Sequence, residues 1–177
     1  MQESRKTRLA EMLSAFHRLG LASLPTPLHC LGRLSSELNG PTIWAKREDM
    51  TGLGGGGNKL RKLDYVLNSA VEQGHDTLVS GGVVQSNSQR QVAAAAAKLG
   101  LECHLAVFHG RVKPPTAEYE TSGNALLNRL FGGKCRAVPW TGDRNAALQD
   151  IAADLVAQGR KPFVVPYGVS HPLGAVG

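Results

Sequence analysis

The stretch that decides the fold is Gly54-Gly55-Gly56-Gly57-Asn58-Lys59-Leu60-Arg61-Lys62. Its four glycines lead directly into a helical pattern, whose apolar residues are Leu60, Leu63, Leu67, Ala70 and Val71. This three-and-four spacing predicts one buried stripe along a helix. Lys59 is therefore expected in the first helical turn, where unpaired backbone N–H groups present positive potential and disfavour the ammonium form.

A lysine amine that has lost its proton can attack a carbonyl group, so Lys59 is the candidate catalytic residue. The glycines before it can adopt backbone conformations closed to other residues, and they are expected to let a flat or anionic cofactor approach closely. The competing interpretation is a flexible surface loop followed by a solvated basic turn, because the glycine run matches no strict phosphate-loop spacing.

The composition is that of a globular chain. Its 177 residues, 42% of them hydrophobic, suffice for one sizeable core. The first eight residues are charged and lack the apolar region of a signal peptide, and the longest apolar run, residues 92–97, is too short to cross a bilayer. We therefore expect a cytoplasmic protein with no membrane partner.

The cysteines and the net charge indicate no further class of ligand. Cys30, Cys103 and Cys135 have no zinc-site or C-x-x-C spacing, so we expect reduced thiols and no metal site. Cys103 and Cys135 lie in apolar, strand-like runs, which favours core packing. A net charge of +6 is compatible with nucleic-acid binding. The basic residues are scattered, however, and an aromatic content of 5% is too low for a stacking surface, so no nucleic-acid partner is expected.

The first third of the chain is less regular. Residues 5–20 predict an amphipathic helix that ends at Gly20. Residues 28–38 predict a loop with a short helical turn, and residues 42–46 predict a strand.

From Asp76 onward, the hydrophobic pattern alternates regularly. Strand-like runs occupy residues 77–80, 102–108, 135–138 and 162–166, and helical runs occupy residues 87–99, 117–130 and 144–158. This βαβαβαβ order predicts an α/β fold, in which a parallel sheet has helices on its faces and receives ligands at the carboxyl ends of its strands.

The carboxyl end of the first of these strands carries Gln85-Ser86-Asn87-Ser88. Ser86 or Asn87 can cap the helix that follows, and capping alone explains one of these two residues. A helix N-terminus edged with hydroxyl and amide groups can also receive a carboxylate. The local sequence leaves both interpretations open.

Taken together, these motifs resemble the fold type II pyridoxal-phosphate enzymes. The resemblance is to the branch of D-cysteine desulfhydrase, 1-aminocyclopropane-1-carboxylate (ACC) deaminase and L-cysteate sulfo-lyase. The matching residues run in order through nearly the whole chain: Thr26-Pro27-Leu28, 46–49, 56–63, Gln85-Ser86-Asn87, Arg90-Gln91 and 174–177. The pairing of Gly-Gly-Asn-Lys with Gln-Ser-Asn is specific to this branch.

The resemblance implies that pyridoxal 5'-phosphate is the cofactor. Lys59 would hold it covalently and later move protons at the substrate α-carbon. Asn87 would hydrogen-bond the cofactor's 3-hydroxyl group, and Asn58 is expected as a further cofactor contact. Ser86, also expected to act in catalysis, would bind the carboxylate of a small amino-acid substrate, together with Gln85, Asn87 and Ser88.

The preferred activity by resemblance is that of D-cysteine desulfhydrase, which forms pyruvate, sulfide and ammonia. The cyclopropane amino acid and L-cysteate stay open as substrates, because Ser88 replaces an expected histidine or glutamine and Gly54-Gly55 replace bulkier residues. The full-length protein is expected to be a homodimer.

The end of the sequence raises a second class of interpretation. Pro172 suits the first position of a helix, but few residues follow it, so we expect the chain to be cut within a fold. Residues 1–55 would then belong to a large domain, residues 56–165 would form a small α/β domain, and residues 166–177 would begin the return to the large one. The resemblance places further cofactor ligands in a second half, so a catalytically inactive fragment is the alternative.

Overall fold

The computed structural model describes residues 2–112, 116–140 and 143–177, and for residues 2–5 and 9 it describes only the backbone. The helices are α1 (Gln2–Ser14), α2 (Gly32–Glu37), α3 (Lys59–Glu72), α4 (Asn87–Leu99), α5 (Ala117–Thr121), α6 (Gly123–Leu130) and α7 (Arg144–Ala157). The strands are β1 (Leu28–Cys30), β2 (Trp44–Lys46), β3 (Thr77–Val83), β4 (Glu102–His109), β5 (Lys134–Pro139) and β6 (Pro162–Val164). Short 3-10 turns occupy Glu48–Met50, Leu53–Gly55, Tyr167–Val169 and Pro172–Ala175.

A four-stranded parallel sheet organises the chain from β3 onward. Its strand order is β5-β4-β3-β6. Thr77 of β3 is in register with Glu102 of β4 on one side and with Pro162 of β6 on the other. The predicted α/β fold with a parallel sheet is confirmed, and β3 and β4 extend beyond the predicted strand ends.

Helices cover both faces of the sheet. On one face, α3, α4 and α6 pack against buried residues such as Leu78 and Leu105. On the other face, α7 places Leu148 and Ile151 against Phe108. Burying one such side chain contributes about 2 kcal/mol, so these two layers supply most of the stability that positions the carboxyl edge of the sheet.

Helix α3 begins at Lys59, as predicted. Leu60, Leu63, Leu67 and Ala70 are fully buried. Val71 is 42% exposed, contrary to the prediction, and Val66 is buried instead. The buried face of α3 therefore includes Val66 and ends at Ala70. The helix packs against both α4 and the 3-10 turn Pro172–Ala175, and these contacts determine which residues are buried.

The N-terminal prediction was partly wrong. Helix α1 ends at Ser14, not at Gly20. Met12 is 62% exposed and Phe16 is 40% exposed, so these two members of the predicted apolar stripe are not buried. The segment predicted as a loop before α2 contains a strand, β1, which pairs antiparallel with β2.

Two further predictions need correction. Residues 117–130 form two helices, because Ser122 is extended and Gly123 has a φ of +53°. Cys103 is buried as expected, but Cys135 is exposed, since it lies on β5 at the edge of the sheet. The prediction that Pro172 occupies the first position of a helix is confirmed, although that helix is a 3-10 turn.

Within the described ranges, no helix has both the length and the apolar character needed to span a membrane.

Candidate active site

The predicted site residues lie at the N-termini of α3 and α4, beyond the carboxyl end of β3. Strand β3 ends at Val83, and a turn closed by a hydrogen bond from Ser86 N–H to the Val83 carbonyl (2.9 Å) leads into α4. Gly82, near the end of β3, faces this turn, and a Cβ on it would lie 2.5 Å from the Ser86 hydroxyl oxygen. The strand thus delivers the hydroxyl and amide groups to the edge where ligands of parallel sheets are received.

Ser86 is the N-cap of α4. Its hydroxyl oxygen accepts a hydrogen bond from the Gln89 backbone N–H at 3.3 Å. Asn87, the first residue of the helix, is exposed. Ser88 is buried, and its hydroxyl oxygen has no hydrogen-bond partner within the described part of the chain. Capping therefore explains Ser86 and leaves the polar groups of Asn87 and Ser88 to be explained.

Gln85 makes a different set of contacts. Its amide nitrogen donates to the carbonyls of Tyr119 (2.6 Å) and Ser122 (3.0 Å), and its amide oxygen accepts from the Asn124 backbone N–H (2.9 Å). The side chain of Gln85 therefore ties the turn before α4 to the junction of α5 and α6. Its expected contact with substrate stays a prediction.

Lys59 and Asn58 form the start of α3. Lys59 is half-buried, and its ammonium group donates to the Asn58 side-chain oxygen at 3.3 Å. Burial, and to a smaller extent the nearby Lys62 ammonium, lower the pKa of Lys59 below its ordinary value. The direction agrees with the expected role of this amine, because the neutral form becomes accessible closer to physiological pH.

The glycine loop before Lys59 packs against protein. Its expected close approach to a cofactor stays a prediction. A Cβ on Gly54 would lie 2.4 Å from Ala94 Cβ, and a Cβ on Gly57 would lie 2.5 Å from the amide nitrogen of Gln91. A Cβ on Gly56 would clash with the Asp49 carbonyl. Close approach of α4 and of the preceding turn thus explains these three glycines.

Two residues that the sequence interpretation left without a role connect the two motifs. Arg90 and Gln91 are buried on α4, and their side chains contact the glycine loop and the first turn of α3. Gln91 lies four positions after Asn87, on the same helical face. That spacing was the signal in the sequence that could have pointed to Gln91. Its hydrogen bonds to Leu60 and Asn87 join the first turn of α3 to the first turn of α4.

Other matching residues form a structural network behind the site. The Glu48 carboxylate accepts hydrogen bonds from Thr26 (2.8 Å) and from two nitrogens of Arg61, and the Lys46 ammonium donates to the Thr26 carbonyl. Arg61 also donates to the Thr26 hydroxyl at 3.0 Å. This network fixes the segment after β2 to α3 at Arg61, two residues beyond Lys59.

A separate cavity of about 340 Å³ lies between α6 and the strands β4 and β5. Apolar residues such as Val107 and Ala125 line it, together with Asn128, whose buried side-chain oxygen has no partner among the described residues. None of the predicted site residues lines this cavity. The candidate active site is therefore the junction of the two helix N-termini.

Comparison with known proteins agrees with the resemblance noted in the sequence. A profile of the pyridoxal-phosphate dependent enzymes matches residues 20–177. A D-cysteine desulfhydrase of Serratia proteamaculans is 46% identical over 169 residues, which cover 96% of this chain and 51% of that protein. A D-cysteine desulfhydrase of Salmonella paratyphi B is 45% identical over 165 residues, which cover 93% of this chain and 50% of that protein.

A solved structure gives the same result for the fold. The crystal structure of an ACC deaminase homologue superposes with a TM-score of 0.83 at 34% identity, and the match covers 95% of this chain and 50% of that one. The chain thus spans about half the length of the curated relatives it matches.

Proposed function

The chain belongs to the pyridoxal-phosphate dependent enzyme family, and from this membership we propose that it contributes the catalytic lysine of a D-cysteine desulfhydrase. In that reaction, D-cysteine and water yield pyruvate, hydrogen sulfide and ammonia. The observation that carries the proposal is the half-buried Lys59, whose pKa is lowered by burial at the start of α3.

The residues of the chain fit the cofactor chemically. An aldehyde needs an amine that can lose its proton, and the environment of Lys59 favours that loss. A cofactor hydroxyl needs a hydrogen-bonding amide, and Asn87 is exposed at the start of α4. The buried Ser88 hydroxyl oxygen, which lacks a partner in the described ranges, offers one more polar group near the same helix start.

Each residue has a defined task in the proposed reaction. Lys59 holds the cofactor and moves a proton at the substrate α-carbon. Asn87 and Asn58 contact the cofactor, while Ser86 with Ser88 and Gln85 binds the substrate carboxylate beside the N–H groups of the α4 N-terminus. When bound, pyridoxal phosphate supplies a conjugated ring that takes up the electron pair left at the α-carbon.

ACC deaminase is the second candidate, favoured by the ACC deaminase homologue among the similar structures. Its reaction would convert the cyclopropane amino acid and water to 2-oxobutanoate and ammonia. The two candidates differ in their products, since only D-cysteine releases sulfide. A sulfide assay and a 2-oxo-acid assay on each substrate therefore separate them.

The proposal is tested by trapping the cofactor on the lysine. The 177-residue chain is mixed with pyridoxal phosphate, reduced with borohydride and digested, and the mass of each lysine-containing peptide is measured. We expect a visible absorbance band before reduction and pyridoxyl label on Lys59 after it. Lys59→Ala should abolish both signals, whereas Lys98→Ala, which removes a lysine at the far end of α4, should leave them unchanged.

The opposing class is a chain that folds without binding the cofactor. No band and no label at Lys59 would support that class and overturn the proposal for the polypeptide itself. Residues 56–165 as a small domain, a homodimer of the full-length protein and a cytoplasmic location stay predictions, and sedimentation of the full-length protein would test the second.

A further inference from the structure

The inner face of α4 touches the loop before Lys59 through two polar side chains. Arg90 is 8% exposed and Gln91 is fully buried. Polar side chains are rarely buried to this extent without satisfied hydrogen bonds. Their partners therefore show what the two residues hold in place.

Gln91 joins the two motifs of the candidate active site. Its amide oxygen accepts a hydrogen bond from the Leu60 backbone N–H at 3.0 Å, and its amide nitrogen donates to the Asn87 carbonyl at 2.9 Å. Leu60 follows Lys59 directly, and Asn58 makes no side-chain capping bond at this helix start. The Leu60 N–H also donates to the Gly57 carbonyl at 3.3 Å, so Gln91 supplies the shorter of its two hydrogen bonds at the first turn of α3.

The glycine loop is shaped to the same side chains. Gly57, with a φ of +130°, leaves the space that the Gln91 amide occupies, since a Cβ there would lie 2.5 Å from its nitrogen. A Cβ on Gly55 would lie 2.9 Å from a guanidinium nitrogen of Arg90. With both side chains in place, the loop can follow this path to Lys59 only with glycine at positions 55 and 57.

Arg90 holds the loop from the same direction. Its guanidinium donates to the Gly54 carbonyl, to the Gly56 carbonyl at 2.9 Å and to the Asn124 side-chain oxygen at 2.7 Å. No carboxylate pairs with Arg90 in the ranges that the structure describes. A buried cation without a counter-charge is costly. Its position is explained by the geometry of the loop carbonyls rather than by ion pairing.

We propose that Gln91, supported by Arg90, is a positioning residue that fixes Lys59 relative to Asn87. It acts through the Leu60 N–H and the Asn87 carbonyl, so that the lysine and the N-terminus of α4 move as one body. Holding reacting groups in a fixed relation is worth orders of magnitude in rate, and small displacements forfeit it. The inference rests on the proposed function, because it assigns Gln91 a task for the same lysine.

The test compares two buried glutamines on one helix. Gln91→Met keeps the side-chain size and removes both hydrogen bonds. Gln89→Met is the matched control: Gln89 is also fully buried on α4, but its amide donates to the Ala106 carbonyl of β4 at 2.8 Å. Each variant is reduced with borohydride in the presence of pyridoxal phosphate, and the label on Lys59 is measured, together with the unfolding temperature.

We expect Gln91→Met to lower the Lys59 label about tenfold and Gln89→Met to leave it within about twofold of wild type. Gln91→Glu keeps the size and the acceptor for the Leu60 N–H but loses the donor to the Asn87 carbonyl, so its label should lie between those of Gln91→Met and wild type. Equal labelling of Gln91→Met and wild type would overturn the inference and leave the proposed function standing. No label in wild type would instead overturn the proposed function.

The inference can still be tested if the Gln91→Met variant is too unstable to fold. If it fails to fold, Gln91→Glu is compared with Gln91→Asn, which keeps a polar amide but is one methylene too short to reach Leu60. The longer side chain should support labelling of Lys59, and the shorter one should lower it at least fivefold, or about 1 kcal/mol by the usual conversion. Equal labelling of these two variants would overturn the inference.

Discussion

At the scale of the residue, the candidate site depends on the charge of the Lys59 amine. Burial is the main reason why its pKa is lowered, and the second is the ammonium of Lys62, one turn further along α3. Both act on the same equilibrium, since a charged amine is disfavoured in a poorly solvated place and beside a like charge.

Replacing Lys62 with methionine should make Lys59 harder to deprotonate. Removal of the positive neighbour raises the Lys59 pKa, so the rate at which an acetylating reagent modifies Lys59 should rise at a higher pH than in wild type. Peptide mass spectrometry across pH 6 to 10 measures this rate. Lys98→Met, which removes a more remote lysine, should leave the profile unmoved, and a Lys62→Met profile that coincides with wild type would contradict the assignment.

Glu48 should make the stability of the fold depend on acid pH. Hydrogen bonding to Arg61, with a further bond from Thr26, lowers the pKa of Glu48 below its ordinary value of 4.5. A carboxyl with a lowered folded-state pKa stabilises the fold above the unfolded pKa, and this stabilisation is lost as pH falls through the folded value.

Glu48→Gln should therefore cost about 1 kcal/mol of unfolding free energy at pH 7, and the difference from wild type should shrink below pH 4.5. Urea unfolding at pH 7, 4 and 3 measures it. Asp49→Asn is the control, since its partner Arg47 lies at the surface and the change should be smaller. A constant difference at all three pH values would argue against the ion pair as its cause.

At the scale of the element, the Asp64 carboxylate ties α3 to the chain before β1. Asp64 is fully buried, and it accepts hydrogen bonds from the Leu21 backbone N–H at 2.5 Å and from Arg18 at 2.9 Å. A buried carboxylate on an otherwise apolar helical face is costly unless its partners are in place. This contact holds residues 18–21 against the helix that begins with Lys59.

Asp64→Ala should destabilise the fold by about 3 kcal/mol, because it leaves the Leu21 N–H and part of Arg18 without their acceptor. Asp154→Ala is the matched control, since its pair with Arg136 has both side chains about 60% exposed. It should cost less than about 1 kcal/mol. Denaturant unfolding of the two variants gives the comparison, and costs of similar size would show that Asp64 is no anchor.

How far the sequence predicts these elements depends on where the deciding contacts lie. The start of α3 and both bounds of α4 were predicted correctly, because apolar periodicity and local caps determine them. The break between α5 and α6 was missed, since it depends on Gln85 reaching Ser122 and Asn124 from another part of the chain.

The residues of the candidate site also fall into those that local sequence predicts and those that depend on contacts between distant parts of the chain. Lys59 and Ser86 could be found from local signals, a helix start and a cap. The role of the glycines could not, because it depends on α4 packing against the loop. Gln91 gave a weak signal through its four-residue spacing from Asn87, but its bond to Leu60 is visible only once two helices are in contact.

At the scale of the whole molecule, an apolar surface is left uncovered by the described part of the chain. It consists of exposed residues on β1, α2 and β2 and the turns beside them: Leu28, Leu31, Leu34, Leu38 and Trp44, which are between 36% and 61% exposed. All of α2 is described, and none of its side chains is buried. Exposed apolar surface of this kind favours association.

We expect the 177-residue chain to self-associate through this surface as its concentration rises. The double variant Leu34→Lys and Leu38→Lys should shift the sedimentation profile towards the monomer, since it places two charges on the patch. Val71→Lys, which alters an exposed position on α3, is the control and should leave association unchanged. A wild-type chain that stays monomeric at high concentration would contradict the prediction.

The strand order β5-β4-β3-β6 has a consequence for folding during synthesis on the ribosome. The neighbours of β3 are made at different times, because β4 follows it closely whereas β6 begins about eighty residues after β3 ends. The backbone groups along one edge of β3 therefore stay unpaired until β6 has been synthesised. Nascent chains of this protein should need a chaperone most during that interval, after β4 has emerged and before β6 closes the edge.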